Sequence, residues 1–171
     1  MEFLLPLIEK MSPFLDTLQY SWLADLMFGG AWAWPIAETV HFFGMTILFG
    51  AIAITDLRLV GFFKKMPIQA THVLIKIALI GFVLNLVTGI MFYCADPFRY
   101  TPNISFQIKM ILIFLAGLNA LFFTLKLQPT WGEWDQNGDA PTVARVVGGV
   151  SLVLWTLIVI YGRMIPYLGT G

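Results

Sequence analysis

Four apolar runs dominate this chain, from about Pro35 to Thr55, Val73 to Ala95, Ile104 to Leu125 and Val146 to Tyr161. A helix needs about 20 mostly apolar residues to cross the hydrocarbon of a bilayer. Each run is therefore expected to be a transmembrane helix. The rest of the composition agrees: 58% of the 171 residues are hydrophobic and only 12% are charged. Soluble domains carry about twice that charged fraction. So short and apolar a chain cannot hide its hydrophobic surface in one core, which excludes a water-soluble enzyme. Ten acids balance ten bases, so there is no basic excess to bind nucleic acid. The one cysteine, Cys94, excludes an internal disulfide framework and a cysteine zinc site.

The connections carry the punctuation expected of loops. Trp34-Pro35 puts a proline in the first turn of the first span, where a missing N–H costs little. Asp96-Pro97 and Thr101-Pro102 bracket a short second loop, and Gln128–Pro141 reads as the third. The first loop, Asp56–Thr71, holds Arg58, Lys64 and Lys65; Lys126 and Arg145 flank the third; the second has only Arg99. By the positive-inside rule, loops one and three are cytoplasmic and both termini face the periplasm.

Residues 1–34 read as an amphipathic segment, an N-terminal helix lying in the membrane interface. Leu4, Leu7, Ile8, Met11, Leu15 and Leu18 fall near helical spacing, opposite Glu9, Lys10 and Asp16. Trp22, Trp32 and Trp34 suit the headgroup zone, with a turn at Gly29-Gly30. No cleavable signal peptide is evident. The expected fold is all-α and integral to the membrane: the segment 1–34 followed by a single four-transmembrane-helix bundle over 35–171.

Ionisable residues inside a span are costly, and each is a candidate for function. Glu38, His41, Met45, Leu48 and Ile52 share one stripe of the first helix; Gly81, Asn85, Thr88 and Phe92 share one on the second. Gly149, Thr156 and Arg163 align on the fourth, so each of these helices offers a polar or small-residue face suited to point inward. By helix rise, His41 lies roughly 9 Å inside its helix, near the depth of Lys109 and Arg163. Asp56 is expected to turn inward and pair with Arg145, the alternative being a solvated pair with Arg58.

The cofactor expected from this set is a b-type haem, since bundle histidines are its usual axial ligands and its propionates require nearby bases. His41 would be the ligand, Lys109 and Arg163 the counter-ions, and Glu38 or Asn85 would orient groups near the ligand. His72 lies near the opposite membrane face, on the order of 20 Å away, so the second ligand is another residue, another chain or absent. A copper site built from His41, Met45, Met91 and Cys94 is a further reading, because imidazole, thioether and thiolate suit Cu(I).

The chain resembles a family of small bacterial inner-membrane proteins to which no function is assigned. The likeness covers nearly the whole chain from about residue 22. It is carried by Trp32-Ala33-Trp34-Pro35-Ile36-Ala37-Glu38-Thr39-Val40-His41, by Gly44 and Gly50, and by Asp56-Leu57-Arg58-Leu59-Val60-Gly61. Later matches are Phe106-Gln107-Ile108-Lys109, Ala116-Gly117-Leu118-Asn119-Ala120, Trp155 and Gly162-Arg163. It implies a four-helix fold in the bacterial inner membrane and marks Glu38, His41, Asp56, Arg58, Lys109 and Arg163. More loosely, the first helix is similar to small b-type cytochromes and copper-resistance membrane proteins. The expected function is a membrane electron-transfer subunit with no independent catalytic activity. Its partners would be lipid and other membrane subunits or a second copy. The alternatives are an accessory or assembly subunit of a larger membrane complex, with no cofactor, and a copper-handling protein.

Overall fold

The computed structural model describes residues 5–67, 69–130 and 140–168, and every regular element among them is helical. The helices α1 (Leu5–Gln19) and α2 (Trp22–Phe28) precede α3 (Ala33–Val60) and α4 (Gln69–Ala95). A single turn, α5 (Pro97–Tyr100), leads into α6 (Ile104–Phe122), and α7 (Thr142–Leu168) closes the chain. Beyond Phe122 the chain continues through a wide π turn, Phe123–Leu127, and a tight one, Gln128–Thr130. Four stretches are long and apolar enough to cross a membrane: Ala33–Val60, Ala70–Ala95, Ile104–Thr130 and Thr142–Leu168. Their outward faces carry large apolar side chains such as Phe42, Phe43, Leu79, Ile80, Phe114 and Val153, a surface compatible with lipid.

The spans are longer than the apolar runs that reveal them. At its start, α3 takes Pro35 into its first turn. It continues past Thr55 because Asp56 and Arg58 are helical and buried, only 5% and 2% exposed, rather than part of a loop. Arg58 donates from Nε to the Met66 carbonyl at 2.6 Å, which ties the following loop to the helix. The helix ends at Gly61, whose φ of 112° suits a residue without a Cβ, and its N–H bonds back to the Leu57 carbonyl. The inward turn of Asp56 is present, but the pair with Arg145 is not. Arg145 is exposed and donates from Nε to the Ala140 carbonyl at 3.0 Å. Stability losses of Asp56→Ala and Arg145→Ala in detergent are therefore expected to add to within about 0.5 kcal/mol in the double variant. A larger coupling energy would show that the two side chains meet.

Close packing is concentrated where side chains are smallest. A Cβ added at Gly81 of α4 would lie 2.6 Å from the Leu48 nitrogen and 2.7 Å from the Gly44 carbonyl oxygen of α3. Backbone thus meets backbone there, the usual role of small residues between membrane helices. α3 also packs on α7, where a Cβ at Gly148 would lie 3.1 Å from Leu59 Cβ and 3.2 Å from the Asp56 carbonyl. α6 packs on α7. By contrast, α4 and α6 do not form a packed pair along their lengths. They are joined near their ends. Tyr93 and Phe106 stack at 5.6 Å and 8° at the α5 end, and Gln128 bonds to His72 Nδ1 at 3.2 Å at the other.

Two readings of the sequence change here. The N-terminal stretch forms two helices, not one, broken at Tyr20–Ser21; α2 buries Met27 beside Ala37, Ala95, Trp34 and Phe92. The stripe Gly149, Thr156 and Arg163 turns away from the other helices: Thr156 and Arg163 are exposed, and a Cβ at Gly149 would meet nothing within 4 Å. The face that α7 turns inward instead carries Ala144, Val147, Gly148, Ser151 and Ile158. A spacing of seven aligns residues on one face but does not say which face is buried. Of the third loop, residues 131–139, including Glu133, Asp135 and Asp139, lie outside the described residues.

Candidate functional site

His41 sits about 12 Å into α3 by helix rise, on the face that meets α4. Its Nδ1 lies 2.7 Å from the Thr88 hydroxyl of α4. That hydroxyl also lies 2.7 Å from the Leu84 carbonyl, which can only accept. A threonine has one hydroxyl proton. Both bonds form together only if Thr88 donates to Leu84 and His41 donates its Nδ1–H to Thr88. The network thereby fixes one tautomer and leaves Nε2 with an open lone pair. Phe92 holds the ring edge-on, centroids 5.5 Å apart at 68°, and Trp34 backs Phe92 at 5.3 Å.

The second functional group is Lys109 of α6. Its side chain lies along the bare backbone of Gly162 on α7, where a Cβ would stand 3.4 Å from Nζ and 3.6 Å from Cε. The ammonium is close enough to act electrostatically on the His41 imidazole. Among the described residues no hydrogen bond or ion pair to Lys109 is present. A half-buried ammonium without a partner is a donor in search of an oxygen. Four helices thus contribute: α3 the imidazole, α4 the residue that fixes it, α6 the cation, and α7 the glycine that admits it.

The remaining candidates fall elsewhere. Glu38 is exposed and accepts the Trp34 indole N–H at 3.0 Å. Asn85 donates to the Gly81 carbonyl at 2.9 Å and lies against Gly44, so it serves the α3–α4 contact. Arg163 is exposed and engages Tyr167, through a hydrogen bond of 3.2 Å and a guanidinium 5.4 Å from the ring centroid. At the α5 rim, burial pushes the Tyr100 phenol above its ordinary range, with Arg99 opposing and Asp96 and Glu38 adding. Met91 packs beside Trp34 and Phe92, Cys94 is buried, and among the described residues no three His, Cys, Asp or Glu side chains converge.

The sequence placed Thr88 on the correct stripe but not its role. The available signal was that Thr88 and His41 sit on facing stripes of consecutive antiparallel helices. Thr88→Val, which keeps the shape and removes the acceptor, is expected to free the ring to rotate. Broadening or shift of the His41 ring resonances in NMR of the detergent-solubilised protein would report it; unchanged resonances would mean the bond does not hold the ring. Comparison with protein-family models, curated proteins and solved structures finds no match for this chain.

Proposed function

We propose that the protein is a small redox subunit of a bacterial inner membrane, in which His41 is the axial ligand of a b-type haem. The single observation that supports this most is the Thr88 bond. Metal-ligating histidines characteristically donate their second ring N–H to a fixed acceptor, which sets the tautomer and the ring plane. His41 has that arrangement, with Nε2 open. Lys109 adds one cation at the same depth, suited to a propionate. Arg163, turned to Tyr167, does not join it, and the chain supplies one imidazole here, since His72 is bonded to Gln128 at the far end. A haem supplies one-electron chemistry when bound. The protein's part is to orient the imidazole, neutralise a carboxylate through Lys109 and keep water out with Trp34 and Phe92.

The same reading takes the four spans as a bundle with both termini on the periplasmic side. Arg58, Lys64, Lys65, Lys126 and Arg145 all lie toward the end opposite α5, as the positive-inside rule requires of the cytoplasmic face. In it, α1 lies along the membrane surface. A cytoplasm-active reporter fused to the C-terminus is expected to be silent; strong activity would reverse the topology.

Protein purified from haem-replete cells is expected to show a Soret band that shifts on reduction. His41→Ala should abolish the band, and Thr88→Val should weaken haem retention by about 10–100-fold, the usual effect of losing a ligand's supporting hydrogen bond. A wild-type sample with no Soret band would overturn the haem reading. Bound copper in that same sample would favour the metal alternative.

A further inference from the structure

A second buried acid–base group inside a span is Asp56, at the far end of α3 from His41. Its carboxyl is buried by protein: Asp56 is 5% exposed and Ser151, beside it on α7, is 8% exposed. Gly148, one turn before Ser151, brings α7 down onto the Asp56 backbone, as its 3.2 Å Cβ approach shows. The Oδ2 atom is out of contact with solvent and has no hydrogen-bond partner.

A buried carboxylate requires a positive charge opposite it, and none is placed there among the described residues; Lys64 and Lys65 of the α3–α4 loop are exposed. On its own helix, Arg58 is directed to the Met66 carbonyl. On α4, His72 bonds to Gln128 and Lys76 is exposed. At the end of α6, Lys126 is exposed, and on α7, Arg145 is exposed and donates to Ala140. The residues that the last helix packs against this part of α3 are apolar or neutral: Val147, Gly148 and Ser151. An ionised group here would be an uncompensated charge among apolar atoms. A carboxylic acid avoids this, and a proton on the unpartnered Oδ2 removes the charge.

We propose that Asp56 and Ser151 form a proton-binding site buried between α3 and α7, a carboxyl that holds a proton within the protein and exchanges it with water at the end of the molecule bearing the α3–α4 loop. On release, the Oδ2–H bond breaks, the proton passes to water, and the electron pair remains on the carboxylate. Ser151 is the hydroxyl that can accept from the acid and turn to donate to the carboxylate. Asp56 lies about 6 Å by helix rise from the end of α3, so the path to water is short. The site stands on its own geometry and is independent of any cofactor at His41.

A hydrophobic carbodiimide tests this, because it needs the acid form: the acid proton moves to a carbodiimide nitrogen and a carboxylate oxygen bonds to the central carbon. The full-length protein in detergent is treated with dicyclohexylcarbodiimide near neutral pH, and the adduct is located by peptide mass mapping. The expected result is one adduct on Asp56, ahead of exposed carboxyls such as Glu38, declining as pH rises and lost in Asp56→Asn. Ser151→Ala, which leaves the backbone contact intact, is expected to keep the adduct but move the pH at which it declines. An unmodified Asp56 in the wild type would overturn the proposal, as would labelling that sodium ions suppress at fixed pH, which would assign a cation site instead. The wild-type map decides even if a variant fails to fold.

Discussion

Gly81→Ala is expected to destabilise the protein by about 1–3 kcal/mol, the usual cost of forcing extra carbon into a filled interior. The added methyl has nowhere to go: its nearest neighbours, at 2.6 and 2.7 Å, are the backbone nitrogen of Leu48 and the carbonyl oxygen of Gly44. Neither is the end of a flexible side chain, so α3 and α4 must move apart. Because His41 and Thr88 are held across the same helix pair, the substitution should also loosen their hydrogen bond. Gly89→Ala on the same helix is the control, since a Cβ there meets nothing within 4 Å. There, alanine's better helix propensity should leave stability unchanged or slightly raised. Unfolding of both variants in mixed detergent micelles would compare them. Equal losses at Gly81 and Gly89 would mean that the close approach is not a determinant of stability.

Asn103→Ala is expected to cost about 2–4 kcal/mol, because one side chain makes two structural bonds. Its Oδ1 caps α6 by accepting from the Phe106 N–H at 3.1 Å, and its Nδ2 donates to the Ile165 carbonyl of α7 at 2.9 Å. Asn103 is 2% exposed, so water cannot easily replace either bond. Asn103→Asp separates the two: it retains the cap and loses the donor to α7. Its loss should be clearly measurable, and thermal unfolding of the pair in one detergent compares them. If alanine and the wild type melt together, neither bond contributes to stability.

The four spans were legible because a run of about 20 apolar residues has few other uses in a chain of this length. Their ends were not. Asp56 and Arg58 looked like the start of a loop because charge usually marks water, and only the structure shows that both are covered, Asp56 with the approach of α7 and Arg58 with its bond to the Met66 carbonyl. The inward stripes of α3 and α4 were readable, since Gly81, Asn85, Thr88 and Phe92 concentrate small and polar residues on one side. On α7 glycines fall on both sides, at Gly148 and Gly149, and composition could not choose between them. His41 and Lys109 could be placed at one depth by counting helix rise. Depth does not give azimuth, however, and so Arg163, equally plausible on that count, proves to turn outward to Tyr167.

The uneven pairing of the helices bears on how the chain assembles. α3 with α4 and α6 with α7 are each antiparallel neighbours in sequence, whereas α3 and α7 meet across a long separation and α4 and α6 do not pair. The molecule is therefore two hairpins, and the step that joins them is the docking of the first span onto the last. Local hairpins form before distant contacts, because the loop each must close is shorter. Synthesis supplies them in the same order, with the first complete before the second has emerged. A chain divided at the α5 turn should then yield two halves that insert separately and recombine when expressed together, the second half already closed by its own bond from Asn103 to Ile165.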